Sequence, residues 1–347
     1  MDEAKKLVYD LSFQEFTQIL AEWQEPRYRA KQIWAGVYKQ FWNDPEQFSS
    51  LPKPLRGRLR DHFSFQSISP EIILDSRNAE TRKVLFKLKD EHAVEAVLMR
   101  YANRRTLCIS TQAGCAMGCT FCATGQMGFR RHLSPGEIIE QVLYYARQLA
   151  GENLRVTNIV MMGMGEPFHN YAATMEAIDR LNDKDGMSLG ARRFTISTVG
   201  LVPMIERFTQ EKRQVNLAIS LHAATDDLRV SMLPINEKYP IKELIAACHN
   251  YVNITGRRIT FEWALILGVN DTPEQAQALS ALLKGLICHV NVIPLNPTAG
   301  YDGQESPSKS VHAFCEMLRS RGISCTVRIR RGIDIQAGCG QLAVLAR

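Results

Sequence analysis

One short run constrains this chain more than any other: GCAMGCTFCATG, which places Cys115, Cys119 and Cys122 in CxxxCxxC spacing. Four glycines (Gly114, Gly118, Gly125, Gly128) surround the cysteines. Glycine has no side chain to pack, so the stretch reads as a loop built around something it binds. Three thiolates at this spacing suit three irons of a cubane iron–sulfur cluster. No fourth cysteine lies nearby in the sequence, so one iron is left open to a substrate. Structural zinc usually takes four ligands, often as two CxxC-like pairs; here there is no second pair and no histidine at zinc-finger spacing. Inert core cysteines are common, but not three together in a glycine-rich loop. Phe121, just before the third cysteine, completes the CxxxCxφC form.

An open iron is what radical S-adenosylmethionine (SAM) chemistry requires. The methionine amino and carboxylate groups chelate it, and one electron then cleaves a carbon–sulfur bond. The rest of the chain is ordinary for a globular protein long enough for one large domain and an appendage: 347 residues, 45% hydrophobic and 22% charged. The net charge of +6 suits a polyanionic partner. Positive residues recur in clusters: RYRAK at 27–31, KPLRGRLR at 53–60, Arg104–Arg105, Arg130–Arg131, Arg192–Arg193, Arg257–Arg258 and RIRR at 328–331. Any one pair reads as solvated surface; the recurrence points to nucleic acid. Nine cysteines, an odd number, argue against a disulfide scaffold. No apolar signal region or membrane-length stretch is present, so a reducing cytoplasm and no membrane partner are expected.

Residues 1–65 read as helical, with apolar residues at helical spacing in LSFQEFTQILAEW and YRAKQIWAGVYKQF. Residues 82–100 alternate as two strands with a turn at Lys89–His92. Strands then alternate with helices, at 105–111, 156–163, 192–199, 215–222, 257–267, 289–295 and 324–330. Ser134-Pro135-Gly136-Glu137 is a capping box opening a helix through Ala150, and Thr272-Pro273-Glu274-Gln275 repeats it. A further helix begins near Pro307 and stops at Gly322. The pattern predicts an α/β fold: a partial or full (β/α) barrel of radical SAM type, with sites at the C-terminal strand ends. The expected organisation is a small basic N-terminal helical accessory domain (1–70) that caps the main domain, grips RNA or does both, a β-hairpin extension (71–104), and the barrel core (105–347) ending in a loop with Cys339.

Side-chain alternation orients the strand ends. In RTLCIST, Leu107 and Ile109 go outward, leaving Thr106, Cys108 and Ser110 inward. In RFTISTVG, Phe194 and Ile196 go outward and Thr195 and Ser197 inward. In VNLAISLH, Leu217, Ile219 and Leu221 go outward and Ser220 and His222 inward. A well-filled core of small residues gives the same parity. Glu166 in MGMGEP follows an apolar strand, where a carboxylate suits the ammonium of SAM. Glu95 lies on an alternating strand, where an exposed glutamate is ordinary. Parity does not orient Asn296 in IPLNP.

GCAMGCTFCATGQMGFRR, MGMGEP, FTISTVG, ISLHA, LPIN, IPLNP and RRGIDIQAGCGQL together resemble the RlmN/Cfr family of radical SAM RNA methyltransferases, in order and spacing, from about Lys83 to the C-terminus. The chain is closer to the RlmN branch. The resemblance implies a [4Fe–4S] cluster on Cys115, Cys119 and Cys122, and SAM, two molecules per turnover, on Gly165, Glu166, Ser197, Ser220, Leu221, His222 and Asn296. It implies methylation of adenine C2, at adenine 2503 of 23S rRNA and adenine 37 of tRNAs. Cys339 would carry the methyl group as S-methylcysteine, Cys108 would form a transient disulfide with it, and Glu95 would accept the ring proton. Chemistry agrees that a carrier is needed: C2 lies between two ring nitrogens and is electron-poor, so a thiolate must take the methyl first. An external flavodoxin-like or ferredoxin-like electron donor and a monomeric enzyme are also expected. Rival readings are C8 (Cfr-like) regiochemistry, a non-catalytic iron–sulfur RNA-binding protein, and a small-molecule radical SAM enzyme.

Overall fold

The computed structural model describes residues 5–343. Ten strands, numbered here in chain order, form one sheet: β1 (Ile68–Asp75), β2 (Thr81–Leu88), β3 (Ala93–Arg100), β4 (Arg105–Cys108), β5 (Asn158–Met161), β6 (Phe194–Thr198), β7 (Asn216–Ser220), β8 (Ile259–Leu265), β9 (Cys288–Pro294) and β10 (Cys325–Val327). Their spatial order is strictly β10-β9-β8-β7-β6-β5-β4-β3-β2-β1. From β4 to β10 every pairing is parallel; β1 to β4 pair antiparallel. Sequential parallel strands require crossover connections, and helices such as Pro135–Gly151, Tyr171–Asn182, Val202–Gln210 and Ile241–Thr255 supply them. The ladder does not close on itself, so the barrel is partial.

The outward residues that alternation assigned are in the core: Leu107, Ile109, Phe194, Ile196, Leu217 and Ile219 are each at most 1% exposed. Full burial of such side chains is worth about 1.5–3 kcal/mol each, which fixes the register and so the direction of every inward residue. The Ser134 capping box forms with both reciprocal bonds. At Thr272 only half of it forms: the hydroxyl accepts from the Gln275 N–H, but the Gln275 side chain turns away to accept from the Ala224 N–H.

Two further expectations need correction. Strand β1 was not anticipated. It is an edge strand interrupted by Pro70, where the register shifts, and Ile73 and Leu74 on it are 49% and 39% exposed. Such a strand lacks clean alternation. The N-terminal segment is also not uniformly helical before Phe13: Lys6–Leu7 pairs with Phe63–Ser64, and a 3₁₀ turn follows. Helices Phe13–Glu22, Arg27–Tyr38 and Lys53–His62 then form as read. Their core is continuous with that of the barrel. Asp10 caps the helix Pro135–Gly151 by accepting from the Gly136 N–H at 2.7 Å, and Glu140 of that helix accepts from the Ser67 and Ile68 amides.

After β10 the chain crosses the open side of the barrel. The Arg328 N–H bonds the Val292 carbonyl on β9. Arg331 pairs with Glu80 and stacks on Tyr101 at 4.3 Å. Asp334 accepts from the Arg77 N–H, Lys83 Nζ donates to the Gln336 carbonyl, and the Ala343 N–H donates to Glu95. Residues 328–343 therefore join β10 to the antiparallel hairpin.

Candidate active site

Two adjoining cavities lie at the C-terminal strand ends. The larger encloses about 980 Å³, open to solvent at its mouth, and is lined by Cys115, Cys119 and Cys122 together with residues from the ends of β5 to β9. The smaller spans about 520 Å³, the open space at its mouth included, and is lined by Cys108 and Arg328 among others. Met162, Ile293, Asn296, Cys339 and Leu342 line both.

The cysteine loop is folded by its glycines. Gly114 has φ +73°, and a Cβ there would lie 1.9 Å from the Gly128 carbonyl oxygen. That approach lets Gln112–Gly114 pair with Phe129–His132 and lets the Cys115 N–H bond Gly128. Burial pushes the Cys115 thiol up to about 12 and Cys119 well above its ordinary value. Buried thiols of that kind become thiolates when a metal replaces their protons. Among the described residues no three His, Cys, Asp or Glu side chains converge closely enough for a single metal ion. A cubane spreads its ligands over separate corners, so three thiols around one cavity fit a cluster where they do not fit mononuclear zinc.

Gly165 (φ +101°) lets its backbone pass Gln112, whose Cβ would be 2.6 Å from an added Cβ. Glu166 is 2% exposed, and each carboxylate oxygen accepts one backbone N–H at 2.9 Å, from Phe168 and from Val199. Burial raises its pKa to about 7, with those two amides opposing. Ser197 and Ser220 meet across neighbouring strand ends at 3.2 Å. His222 has φ +60°, and its Nδ1 accepts from the Ala264 N–H at 2.9 Å. Burial drives its pKa down to about 3, so the ring is neutral and Nε2–H is a donor. Asn296 donates Nδ2–H to the Cys339 carbonyl at 3.0 Å, while its buried Oδ1 has no partner. An orphan acceptor, a neutral imidazole donor and a buried carboxylate lining one cavity match the donors and acceptors of SAM. Leu221 differs from its neighbours: its side chain is in the outer core, and its backbone bonds Glu262 and Arg229.

Cys339 stands at the junction of both cavities. Its surface is exposed, yet protein surrounds the cleft, and that burial raises the thiol pKa while Arg328 opposes. Cys108, on the inward face of β4, lines the smaller cavity with it; burial pushes its thiol up to about 12. Both thiols are free. Gly338 is required beside them, because a Cβ there would lie 2.7 Å from Asn296 Nδ2. The two loops are tied together: the Ala123 N–H bonds Gly340, and the Thr124 hydroxyl bonds the Leu342 carbonyl at 2.6 Å.

Glu95 is not the exposed strand residue that alternation suggested. It is 4% exposed, pairs with Lys83 at 2.9 Å, accepts from the Ala343 N–H at 3.0 Å, and lines neither cavity. Burial raises its pKa, with Lys83 opposing.

Sequence reasoning missed four polar residues. Gln112 Oε1 accepts from the Glu166 N–H, and Nε2 lies between His132 and His169. Buried Arg229 ties the β6 and β7 ends by donating to the Val199, Ser220 and Leu221 carbonyls. Glu262 and Arg328 line the cavities. None has a local motif, because each acts across loops distant in sequence. Arg328 was instead hidden in the RIRR cluster, which is not a uniform surface patch: Arg330 pairs with Glu305 and Arg331 with Glu80.

Comparison with known proteins agrees with this geometry. Residues 109–279 match the radical SAM superfamily, and residues 8–64 match the ribosomal RNA large subunit methyltransferase N-terminal domain. The dual-specificity RNA methyltransferase RlmN 1 of Myxococcus xanthus is 48% identical over 337 residues, covering 96% of this chain and 93% of that protein. A probable dual-specificity RNA methyltransferase RlmN of Chloroflexus aurantiacus is 46% identical over 350 residues, covering 98% and 93%. The crystal structure of a radical SAM methyltransferase from Sphaerobacter thermophilus superposes with a TM-score of 0.95 at 49% identity, covering 97% of this chain and 99% of that one. Identity of this extent across both the barrel and the N-terminal module places the chain in the RlmN family of radical SAM methyltransferases, enzymes that use a [4Fe–4S] cluster and SAM.

Proposed function

We propose that this enzyme methylates C2 of adenine in RNA, at adenine 2503 of 23S rRNA and adenine 37 of tRNAs, with Cys339 as methyl carrier and Cys108 as its disulfide partner. The observation that carries the reading is that Cys339 lines both cavities: the one with the three cluster cysteines and the one with Cys108. Cys115, Cys119 and Cys122 would hold the cluster. Gly165, Glu166, Ser197, Ser220, His222 and Asn296 would hold SAM, with Leu221 contributing only the backbone between two of them. When bound, this pair supplies a methyl group and, on reduction, a 5′-deoxyadenosyl radical able to take hydrogen from a methyl group.

The residues of the chain do the rest. Cys339 takes the methyl as a thiolate, and Arg328 nearby favours that form against burial. Asn296 fixes the Cys339 carbonyl, so the sulfur is held between the two cavities. Once the sulfur is joined through its carbon to C2 and the adduct has lost the ring proton and one electron, which would return to the redox centre that supplied it, Cys108 attacks the sulfur of Cys339. The S–S bond forms, the carbon–sulfur bond breaks with its electron pair on carbon, that carbon takes up a proton to become the C2 methyl group, and an external reductant restores both thiols. Glu95 takes the ring proton only if residues 336–343 shift, because Lys83 and Ala343 occupy its carboxylate.

The helical module of residues 1–70 would grip RNA, with Arg27, Tyr28 and Lys31 exposed on one helix and Tyr28 58% exposed. The hairpin region 71–104 would anchor the Cys339 segment of the 105–347 core. A flavodoxin-like or ferredoxin-like donor would deliver electrons to a monomeric, cytoplasmic enzyme; among the described residues no helix is long and apolar enough to cross a membrane. Mass spectrometry of nucleosides from rRNA and tRNA treated with reconstituted enzyme, SAM and reductant tests the reading. It should show 2-methyladenosine. Detection of 8-methyladenosine instead would establish Cfr-like regiochemistry, and no methylated base would favour a binding protein.

A further inference from the structure

Arg328 carries a charge that no ion pair takes up among the described residues. Its neighbours Arg330 and Arg331 each pair with a carboxylate, but among the described residues Arg328 has none within ion-pair distance. Among the described residues its guanidinium makes one hydrogen bond, to the thioether of Met162 at 3.9 Å, and a thioether is a weak acceptor. Burial pulls this guanidinium down and the nearby Glu262 carboxylate opposes, so it stays charged. Arg328 is half-buried, and its remaining donors are available to an acceptor that enters the cavity.

The rest of the smaller cavity says which acceptor. Arg330 and Arg331 also line it, but Glu305 and Glu80 take up their charges, whereas Met99, Met162, Ile293 and Leu342 are apolar, and Cys108 and Cys339 supply the two thiols. Apolar walls suit the faces of a flat heteroaromatic ring and not a hydrated phosphate. Chemistry on a base requires that it leave its stack and enter such a pocket.

We infer that the smaller cavity seats the extruded adenine and that Arg328 donates a hydrogen bond to one of the two ring nitrogens flanking C2, N1 or N3. The inference rests on the RNA-adenine reading above and deepens it by naming the residue that selects C2. Carbon C2 is bonded to both N1 and N3, whereas C8 is flanked by N7 and N9. A cationic donor at N1 or N3 turns the C2 edge toward the thiols and draws electron density from C2, the atom that must accept an electron-rich carbon. Guanine is disfavoured because its C2 position carries an amino group.

Binding measurements test this without turnover. Reconstituted enzyme with SAM, unreduced, is titrated with fluorescent RNA hairpins carrying adenosine, 1-deazaadenosine, 3-deazaadenosine, 7-deazaadenosine or an abasic residue at the target. Wild type should bind either the 1-deaza or the 3-deaza RNA about ten-fold or more weakly, the range of a charge-assisted hydrogen bond, and the 7-deaza RNA like the parent. Arg328→Gln should bind the parent RNA weakly and no longer distinguish the deaza analogues. Arg328→Lys keeps the charge beside Glu262 and guards against a folding defect; it should discriminate less than wild type. Full discrimination by both variants, or an equal loss for every RNA with discrimination retained, overturns the inference. If wild type does not distinguish adenosine from an abasic residue, the adenine reading itself fails.

Discussion

Replacing Lys83 with methionine should release the segment that carries Cys339. Lys83 and Glu95 are about equally buried, with side chains 6% exposed, and pair at 2.9 Å. Lys83 Nζ also donates to the Gln336 carbonyl, and Glu95 accepts from the Ala343 N–H, so the pair clamps both ends of residues 336–343. Methionine leaves a buried carboxylate without a counter-charge, a change that costs about 3–5 kcal/mol when the charge stays. Glu95 can escape by binding a proton. From an ordinary pKa of about 4.3, protonation costs at most about 3.7 kcal/mol at pH 7 and about 1 kcal/mol at pH 5. The sign follows from the raised pKa: its contribution is fully present below the unfolded pKa and lost as pH rises through the folded one. Removing Lys83 raises the folded pKa further and widens that window. Hydrogen exchange of the residue 336–343 amides should therefore speed up by about 10²-fold at pH 7, corrected for intrinsic rates, and by less than ten-fold at pH 5. The double variant Lys83→Met with Glu95→Leu lacks both bonds to the segment and any buried carboxylate, so its exchange should stay faster than wild type but lose the difference between pH 7 and pH 5. Unchanged exchange at pH 7, or equal acceleration at both pH values, would refute the clamp.

The two cysteines should fail differently. Cys339→Ala should give no RNA adduct, whereas Cys108→Ala should leave enzyme covalently trapped on RNA, seen as a denaturation-resistant gel shift removed by ribonuclease. Normal turnover by Cys108→Ala would exclude the disulfide step. Gly165→Ala adds a Cβ 2.6 Å from that of Gln112 at φ +101°, so SAM affinity measured by calorimetry should fall at least ten-fold while the protein stays folded. Exchanging Lys31 and Arg27 for glutamine should weaken binding to all RNAs alike and lower the slope of log affinity against log salt by about one for each phosphate no longer neutralised; an unchanged slope would remove that helix from the RNA surface. These substitutions are better suited than deletion of residues 1–65, which would strip Tyr9, Phe16 and Trp34 from a core shared with the barrel.

Much of the site was legible because strand parity is local physics. Leu107 and Ile109 had to go outward, so Cys108 had to go inward, and the same argument oriented Ser197, Ser220 and His222. The Ser134 box was readable because its two bonds form within four residues. What escaped was set by partners far away in the chain. Thr272 has the same signature, but Ala224 captures Gln275. Glu95 sits on an alternating strand, yet the C-terminal segment covers it. Arg328 is one of four residues in a basic run, and only the path of the chain after β10 sends it inward while Arg330 and Arg331 find carboxylates. Strand β1 escaped because Pro70 and exposed Ile73 and Leu74 blur the alternation.

A barrel with an unfinished side need not thread its substrate through a closed ring; a large folded RNA can approach laterally and deliver one base. The same gap would let oxygen and bulk water reach an organic radical. Here the missing stave and the sulfur proposed to carry the methyl group are one piece of polypeptide, residues 328–343. Whatever peels that piece away carries Cys339 out of the chamber at the same moment. Shelter and reagent are thus assembled or lost together, so a breached chamber is also a disarmed one.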